Sequence, residues 1–190
     1  MLKINPISLE NQANIELIPV CNDEPYLLDM HTYSILEEFY QYLEFDPFQS
    51  LEETRSYLCT LIDRSMSDNC QYWFIKLQAE GVVVGTIGLH SLDKSRLSAE
   101  VGYGLSPNYQ GRGIFSNSLE LILEYAFSEL RLTRIVARTD AGNKGSIKGL
   151  LRNGFVCEGV MRSYYRYKDG SYSDCSLFSK LCSELNGSKE

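Results

Sequence analysis

The chain has 190 residues, 44% of them hydrophobic and 23% charged, with a formal net charge of −7. That length and composition suit one globular domain with a sizeable core. The acidic balance disfavours a nucleic-acid partner and gives a weak long-range bias toward cationic ligands such as amines. The six cysteines form no C-x-x-C pair, and His31 and His90 stand far apart, so no metal site is expected. The N-terminus shows no basic stretch leading into an apolar one, and no apolar run is long enough to span a bilayer. The expectation is a cytoplasmic protein with reduced thiols, monomeric or homodimeric, without a membrane partner.

Ile15-Glu-Leu-Ile-Pro19 reads as a first strand. Pro25 to about Leu43 is helical in character, with Leu28, Ile35 and Phe39 at helix-like spacing. Pro47 ends that run, because proline disfavours helix for the residue before it. Ser50-Leu-Glu-Glu53 is a capping box that opens a second helix with Tyr57, Leu58, Leu61 and Ile62 as its buried stripe. Gln71–Gln78, Val82–Leu89 and Ala99–Leu105 read as an antiparallel meander. A helix follows and buries Phe115, Leu119, Ile122, Leu123, Ala126 and Phe127. Arg134–Arg138 is a strand, and Asn143 to about Asn153 is a helix closed by Gly154. Two last strands, about Phe155–Tyr167 and Ser171–Leu181, meet at Lys168-Asp-Gly170, a strong hairpin signal. Residues 1–182 form one domain, and the polar tail 183–190 is expected to fray. This order predicts an α+β, three-layer α/β/α fold, with a mixed, mostly antiparallel sheet of about seven strands and four helices.

Tyr109-Gln-Gly-Arg-Gly-Ile-Phe115 joins a strand to a helix N-terminus. Gly111 and Gly113 let the backbone bend sharply and let a ligand approach. The first N–H groups of the helix have no partner within it, and its dipole adds roughly half a positive charge there. A phosphate or pyrophosphate suits such a turn, although strand–glycine–helix turns also occur without a ligand. The Walker pattern lacks its Gly-Lys-Ser/Thr, and Ser116 stands where the dinucleotide fingerprint needs a third glycine.

With Gln110-Gly-Arg-Gly113 at its centre, this order resembles the GNAT superfamily of acetyl-CoA-dependent N-acyltransferases, whose signature is Gln/Arg-x-x-Gly-x-Gly/Ala. Gln110, Gly113 and Phe115 occupy the signature positions, and Phe115 departs from the small residue usual there. Ala99-Glu-Val-Gly-Tyr103, Asn143-x-x-Ser146, Asn153-Gly-Phe155 and Asp169-Gly170-x-Tyr172-x-Asp174 look like the RimJ/RimL type, the ribosomal-protein N-terminal acetyltransferases. The resemblance covers nearly all of the chain from Ile15 to Leu181.

It implies that acetyl-CoA's pyrophosphate lies on the amides of Gly111, Arg112, Gly113, Ile114 and Phe115, beside Gln110. The pantetheine arm would pair with the strand ending at Leu105 and with Asn143, and Ser146 would lie near the sulfur. Phe115 should then pack into the core below the loop. Glu100 is the candidate base. The tyrosine acid of many relatives is absent, because Leu150 and Leu151 occupy its region, and Ser146, directly or through a water, is the replacement. Phe39, Tyr42, Phe45 and His90, with Tyr164 and Tyr172 of the hairpin, would line the acceptor groove. The expected reaction is acetyl transfer to a primary amine, a protein N-terminal α-amine before others. A small cationic amine (a polyamine or an aminoglycoside) and a catalytically silent acyl-CoA-binding module are the alternatives.

Overall fold

The computed structural model describes residues 8–10 and 14–185. Its frame is one eight-stranded sheet in the order β1-β2-β3-β4-β5-β6-β8-β7. The strands are β1 (Leu9–Glu10), β2 (Ile15–Pro19), β3 (Gln71–Leu77), β4 (Val82–Asp93), β5 (Ser98–Leu105), β6 (Arg134–Asp140), β7 (Val156–Arg166) and β8 (Tyr172–Leu181). Neighbours run antiparallel except β5 and β6, which are parallel and joined by the crossover that carries the glycine turn.

Alternation along the strands sends side chains to two apolar layers. Trp73 and Ile75 of β3, with Ile87 and Val101, face α4 (Ile114–Glu124) and α5 (Lys144–Arg152), where Leu119, Ile122 and Leu150 meet them. Phe74, between Trp73 and Ile75, faces the other way with Val83. There it packs on Leu27, Met30 and Tyr33 of α1 (Glu24–Ser34) and on Leu58 and Leu61 of α3 (Leu51–Ser65). Each fully buried aliphatic or aromatic side chain of this kind contributes ~1.5–3 kcal/mol. No helix among the described residues is long and apolar enough to cross a membrane.

The α+β, three-layer reading holds, with eight strands and five α-helices among the described residues. The extra strand is β1, on the edge beside β2. The extra helix comes from a break in the segment read as one helix. Leu36 is extended (φ −87°, ψ 127°), so α1 stops at Ser34 and a short α2 (Glu37–Tyr40) follows. The Ser34 carbonyl accepts from Phe48 N and from Tyr40 Oη, so it does not continue the helix. The buried stripe of α1 is Leu27, Met30, Tyr33 and Ser34, while Leu28 and Ile35 are exposed.

The local signals appear as expected. Ser50 Oγ caps Glu53 N, and Glu53 reaches back to Gln49 N, one residue beyond the usual partner. Gly154 is left-handed at the end of α5, and Gly170 is left-handed in the turn closed by Tyr167 and Ser171. Two boundaries move. β4 runs on to Asp93, so His90 lies inside the strand rather than at its end. Cys182–Leu185 form a 3-10 turn, so the polar tail starts later than expected, and residues 186–190 lie outside the described residues.

Candidate active site

Pairing between β5 and β6 covers Ser98↔Arg134, Ala99↔Ile135 and Glu100↔Val136, then stops. β5 continues to Leu105 along β4, and β6 continues to Asp140 along β8. The two strands therefore part into a wedge whose β5 side presents main-chain groups from Val101 to Leu105. An extended ligand can use such an edge as a strand would.

The glycine turn closes the wide end of the wedge. After a 3-10 turn at Pro107–Tyr109, Gln110 Nε2 reaches back to the Leu105 carbonyl at 3.4 Å. Gly111 and Gly113 are left-handed (φ 76° and 77°), and a Cβ on Gly111 would meet nothing within 4 Å. Gly113 is the N-cap of α4, with no side-chain cap and no acidic residue in the first turn. The Arg112 guanidinium lies over the Tyr109 ring, 4.9 Å from its centroid. Open space, uncapped amides and one cation fit a pyrophosphate. Ile114 is buried, and Phe115 turns inward against Tyr103, with ring centroids 4.3 Å apart. Its ring fills the place where a Cβ on Gly149 would lie, 2.4 Å from Phe115 Cδ1.

Asn143 and Ser146 stand on the far side of the wedge, at the start of α5. Asn143 Oδ1 accepts from Ser146 N at 3.0 Å, which leaves the amide NH₂ as its remaining donor. Ser146 is buried, and its Oγ lies 2.6 Å from Tyr103 Oη. Burial pushes the Tyr103 phenol well above its ordinary range.

Glu100, Gly102 and Gly104 point from β5 to the opposite face of the sheet. Arg138 of β6 holds Glu100 with both ends of its fork, Nε to Oε1 at 2.8 Å and Nη2 to Oε2 at 2.5 Å. The Glu100 side chain is 16% exposed. Arg138 Nη1 also donates to Tyr164 Oη. His90 pairs with Glu100 across β4 and β5. Burial, ahead of the neighbouring Arg138 and Arg64 and against the pull of Glu100, pushes its imidazole below the ordinary histidine value. A Cβ on Gly102 would lie 3.2 Å from His90 Nε2, and one on Gly104 would lie 2.8 Å from Phe39 Cζ. Two glycines thus make a floor over which His90 and Phe39 lie.

The other expected acceptor residues spread outward. Tyr42 approaches Gly142, 3.5 Å from where a Cβ would stand. Beside it Asp140, buried at the end of β6, accepts from Gly142 N at 2.7 Å and from Tyr167 Oη at 2.5 Å, tying the hairpin to the α5 loop. Phe45 packs between Tyr40 and Tyr57 and lines a cavity of about 490 Å³ with Glu37, Glu44, Tyr167 and Asp169. Tyr172 is 60% exposed at the solvent end of the hairpin and does not line that cavity.

Two side chains central to the site went unread in the sequence. Arg138 is 38 residues from Glu100, and only the adjacency of β5 and β6 reveals the pair. Tyr103 had a usable signal, because Val101, Tyr103 and Leu105 alternate onto the face of α4 and α5.

A family model described as the acetyltransferase (GNAT) domain matches residues 15–156. The chain is 31% identical over 150 residues to the uncharacterized N-acetyltransferase p20 of Bacillus licheniformis, covering 79% of this chain and 84% of that protein. It is 28% identical to the ribosomal-protein-serine acetyltransferase of Escherichia coli (strain K12), over 54% of this chain and 56% of that one. It is 25% identical to the spermidine N(1)-acetyltransferase of the same organism, over 67% and 65%. The crystal structure of a GCN5-related N-acetyltransferase from Brucella melitensis superimposes with a TM-score of 0.83, at 24% identity, over 96% of this chain and 81% of that one. The chain belongs to the GNAT acetyltransferase family and is an N-acetyltransferase. The family uses acetyl-CoA.

Proposed function

We propose that this enzyme acetylates a protein N-terminal α-amine. The observation that carries this reading is the fork between Arg138 and Glu100. A carboxylate is a weak base beside an amine, and one paired with a guanidinium faces the amine with little net charge. Neutralising an α-amine of pKa about 8 costs ~1.4 kcal/mol at pH 7, whereas an amine near 10.4 costs ~4.6 kcal/mol. A weak base acting through water meets the first demand far more easily. The likeness to a ribosomal-protein-serine acetyltransferase supports the same acceptor.

Acetyl-CoA supplies an activated thioester. The amides of Gly111 to Phe115 hold its pyrophosphate, with Gln110 bracing the turn and Arg112 adding charge. The β5 edge up to Leu105 and the Asn143 amide hold the arm. Ser146 offers its hydroxyl to the departing sulfur. Glu100 draws the proton from the amine, and Phe39, His90 and Tyr164 surround the approach, with Tyr42, Phe45 and Tyr172 further along it. A thiol of pKa near 8.5 leaves readily, so one hydrogen bond suffices on that side.

A small cationic amine is the second reading. Glu37, Glu44 and Asp169 around the outer cavity favour it, as does the spermidine-acetylating relative. Labelled acetyl-CoA separates the two when offered with peptides of varied first residue, the same peptides Nα-blocked but carrying lysine, and spermidine. Label is expected on free α-amines. Label confined to spermidine or to blocked peptides would remove the first reading.

A further inference from the structure

We propose that Tyr103 is a positioning residue for the reaction, holding the Ser146 hydroxyl by donating a hydrogen bond to it, so that the Ser146 proton points at the leaving sulfur. This rests on Ser146 being the group that meets the sulfur. The geometry is a 2.6 Å contact between Tyr103 Oη on β5 and Ser146 Oγ on α5, across the base of the wedge. Either oxygen can be the donor in such a contact, and chemistry decides between them. The phenol is the more acidic hydroxyl and the better donor, and a serine hydroxyl has two lone pairs to accept with. With its oxygen engaged by Tyr103, Ser146 has one hydrogen left to direct elsewhere.

Ser118 on α4 shows the usual alternative. Its hydroxyl bonds back to the Ile114 carbonyl of its own helix at 2.9 Å. Among the described residues, the hydroxyl of Ser146 bonds to Tyr103 instead. The Tyr103 ring is fixed in turn. Phe115 packs on it at a tilt, and Phe115 fits because position 149 is glycine. The large residue in the glycine-loop signature thus braces the site from below. Gly149, Phe115, Tyr103 and Ser146 form one packed series ending at the hydroxyl. Burial makes the Tyr103 proton hard to remove, so Tyr103 keeps it throughout. The sulfur leaves as a thiolate, hydrogen-bonded by Ser146, and takes its proton from water afterwards.

The test is a double-mutant cycle on the acetyl transferase, read by thiol release, with Tyr103→Phe, Ser146→Ala and both together. Tyr103→Phe keeps the ring and its contact with Phe115. It is expected to lower kcat about tenfold, the loss of one hydrogen bond, with KM for acetyl-CoA within about twofold of wild type. Ser146→Ala should match it, and the double variant should be no worse than Ser146→Ala alone. Ser118→Ala serves as a control for a buried serine, shifting Tm without lowering kcat. The proposal is overturned if Tyr103→Phe leaves kcat unchanged while Ser146→Ala lowers it, or if the two losses multiply. A loss with Tyr103→Phe but none with Ser146→Ala also overturns it, and locates the error in the role given to Ser146. Wild-type enzyme inactive on every acceptor would instead remove the proposed function.

Discussion

At the scale of single residues, Glu100 and Arg138 divide the work of one charge pair. A carboxylate has about four lone-pair positions, and the guanidinium fork takes two of them. Room remains for a water that relays a proton from the acceptor. Glu100→Gln keeps the shape and removes the base. At pH 7, kcat/KM on an α-amine peptide is expected to fall about a hundredfold, the low end of general-base contributions. At pH 9 an α-amine of pKa about 8 is already mostly neutral, so the deficit should shrink to a few-fold. Equal deficits at the two pH values would show that Glu100 places the substrate rather than deprotonates it. The pair was illegible in the sequence for a topological reason. Glu100 stood out from its motif, but its partner lies on another strand whose register only the folded sheet defines.

At the scale of elements, the turn into α4 depends on two left-handed glycines. A Cβ on Gly113 would meet only Asn117 Nδ2, at 3.7 Å, so alanine there adds strain without a clash. Left-handed backbone costs an L residue ~1–2 kcal/mol. Gly81, in the β3–β4 turn, is similarly left-handed (φ 71°) with nothing within 4 Å of its Cβ position. Gly113→Ala and Gly81→Ala should therefore lower Tm alike. Only Gly113→Ala should raise KM for acetyl-CoA, about fivefold, with kcat within about twofold. Steady-state kinetics beside thermal melts checks this, and a matching KM change in both variants would remove the ligand role of the turn. This turn, the capping box at Ser50 and the Asp169-Gly170 hairpin were legible because each is written in adjacent residues. The break at Leu36 was not, because the groups that claim the Ser34 carbonyl come from Tyr40 and Phe48, beyond the helix itself.

At the scale of the whole molecule, stability carries a pH signature from His90. Its imidazole is held below the ordinary histidine value, chiefly by burial. The unfolded chain therefore takes up a proton first as pH falls below about 6.5. The contribution of His90 to stability is intact above that value and declines as pH drops toward the folded one. Between pH 7 and pH 5.5 the urea midpoint of the wild type is expected to fall more steeply than that of His90→Gln. Parallel slopes would show that other groups set the dependence. The three-layer architecture was readable from the alternation of periods, since strand and helix patterns set which faces are apolar. The partition of residues around the acceptor was not. Phe39, His90 and Glu100 gather over the floor of β5, while Phe45 and Tyr172 lie farther out.

The wedge also has a mechanical meaning. β1 to β5 and β6 to β8 are two ribbons, each laced internally by antiparallel ladders, and three residue pairs stitch one ribbon to the other. A ligand arm laid along β5 would lengthen that stitching from within. On this view the enzyme is stiffest across its middle while the arm lies in the seam and loosest once the arm has left.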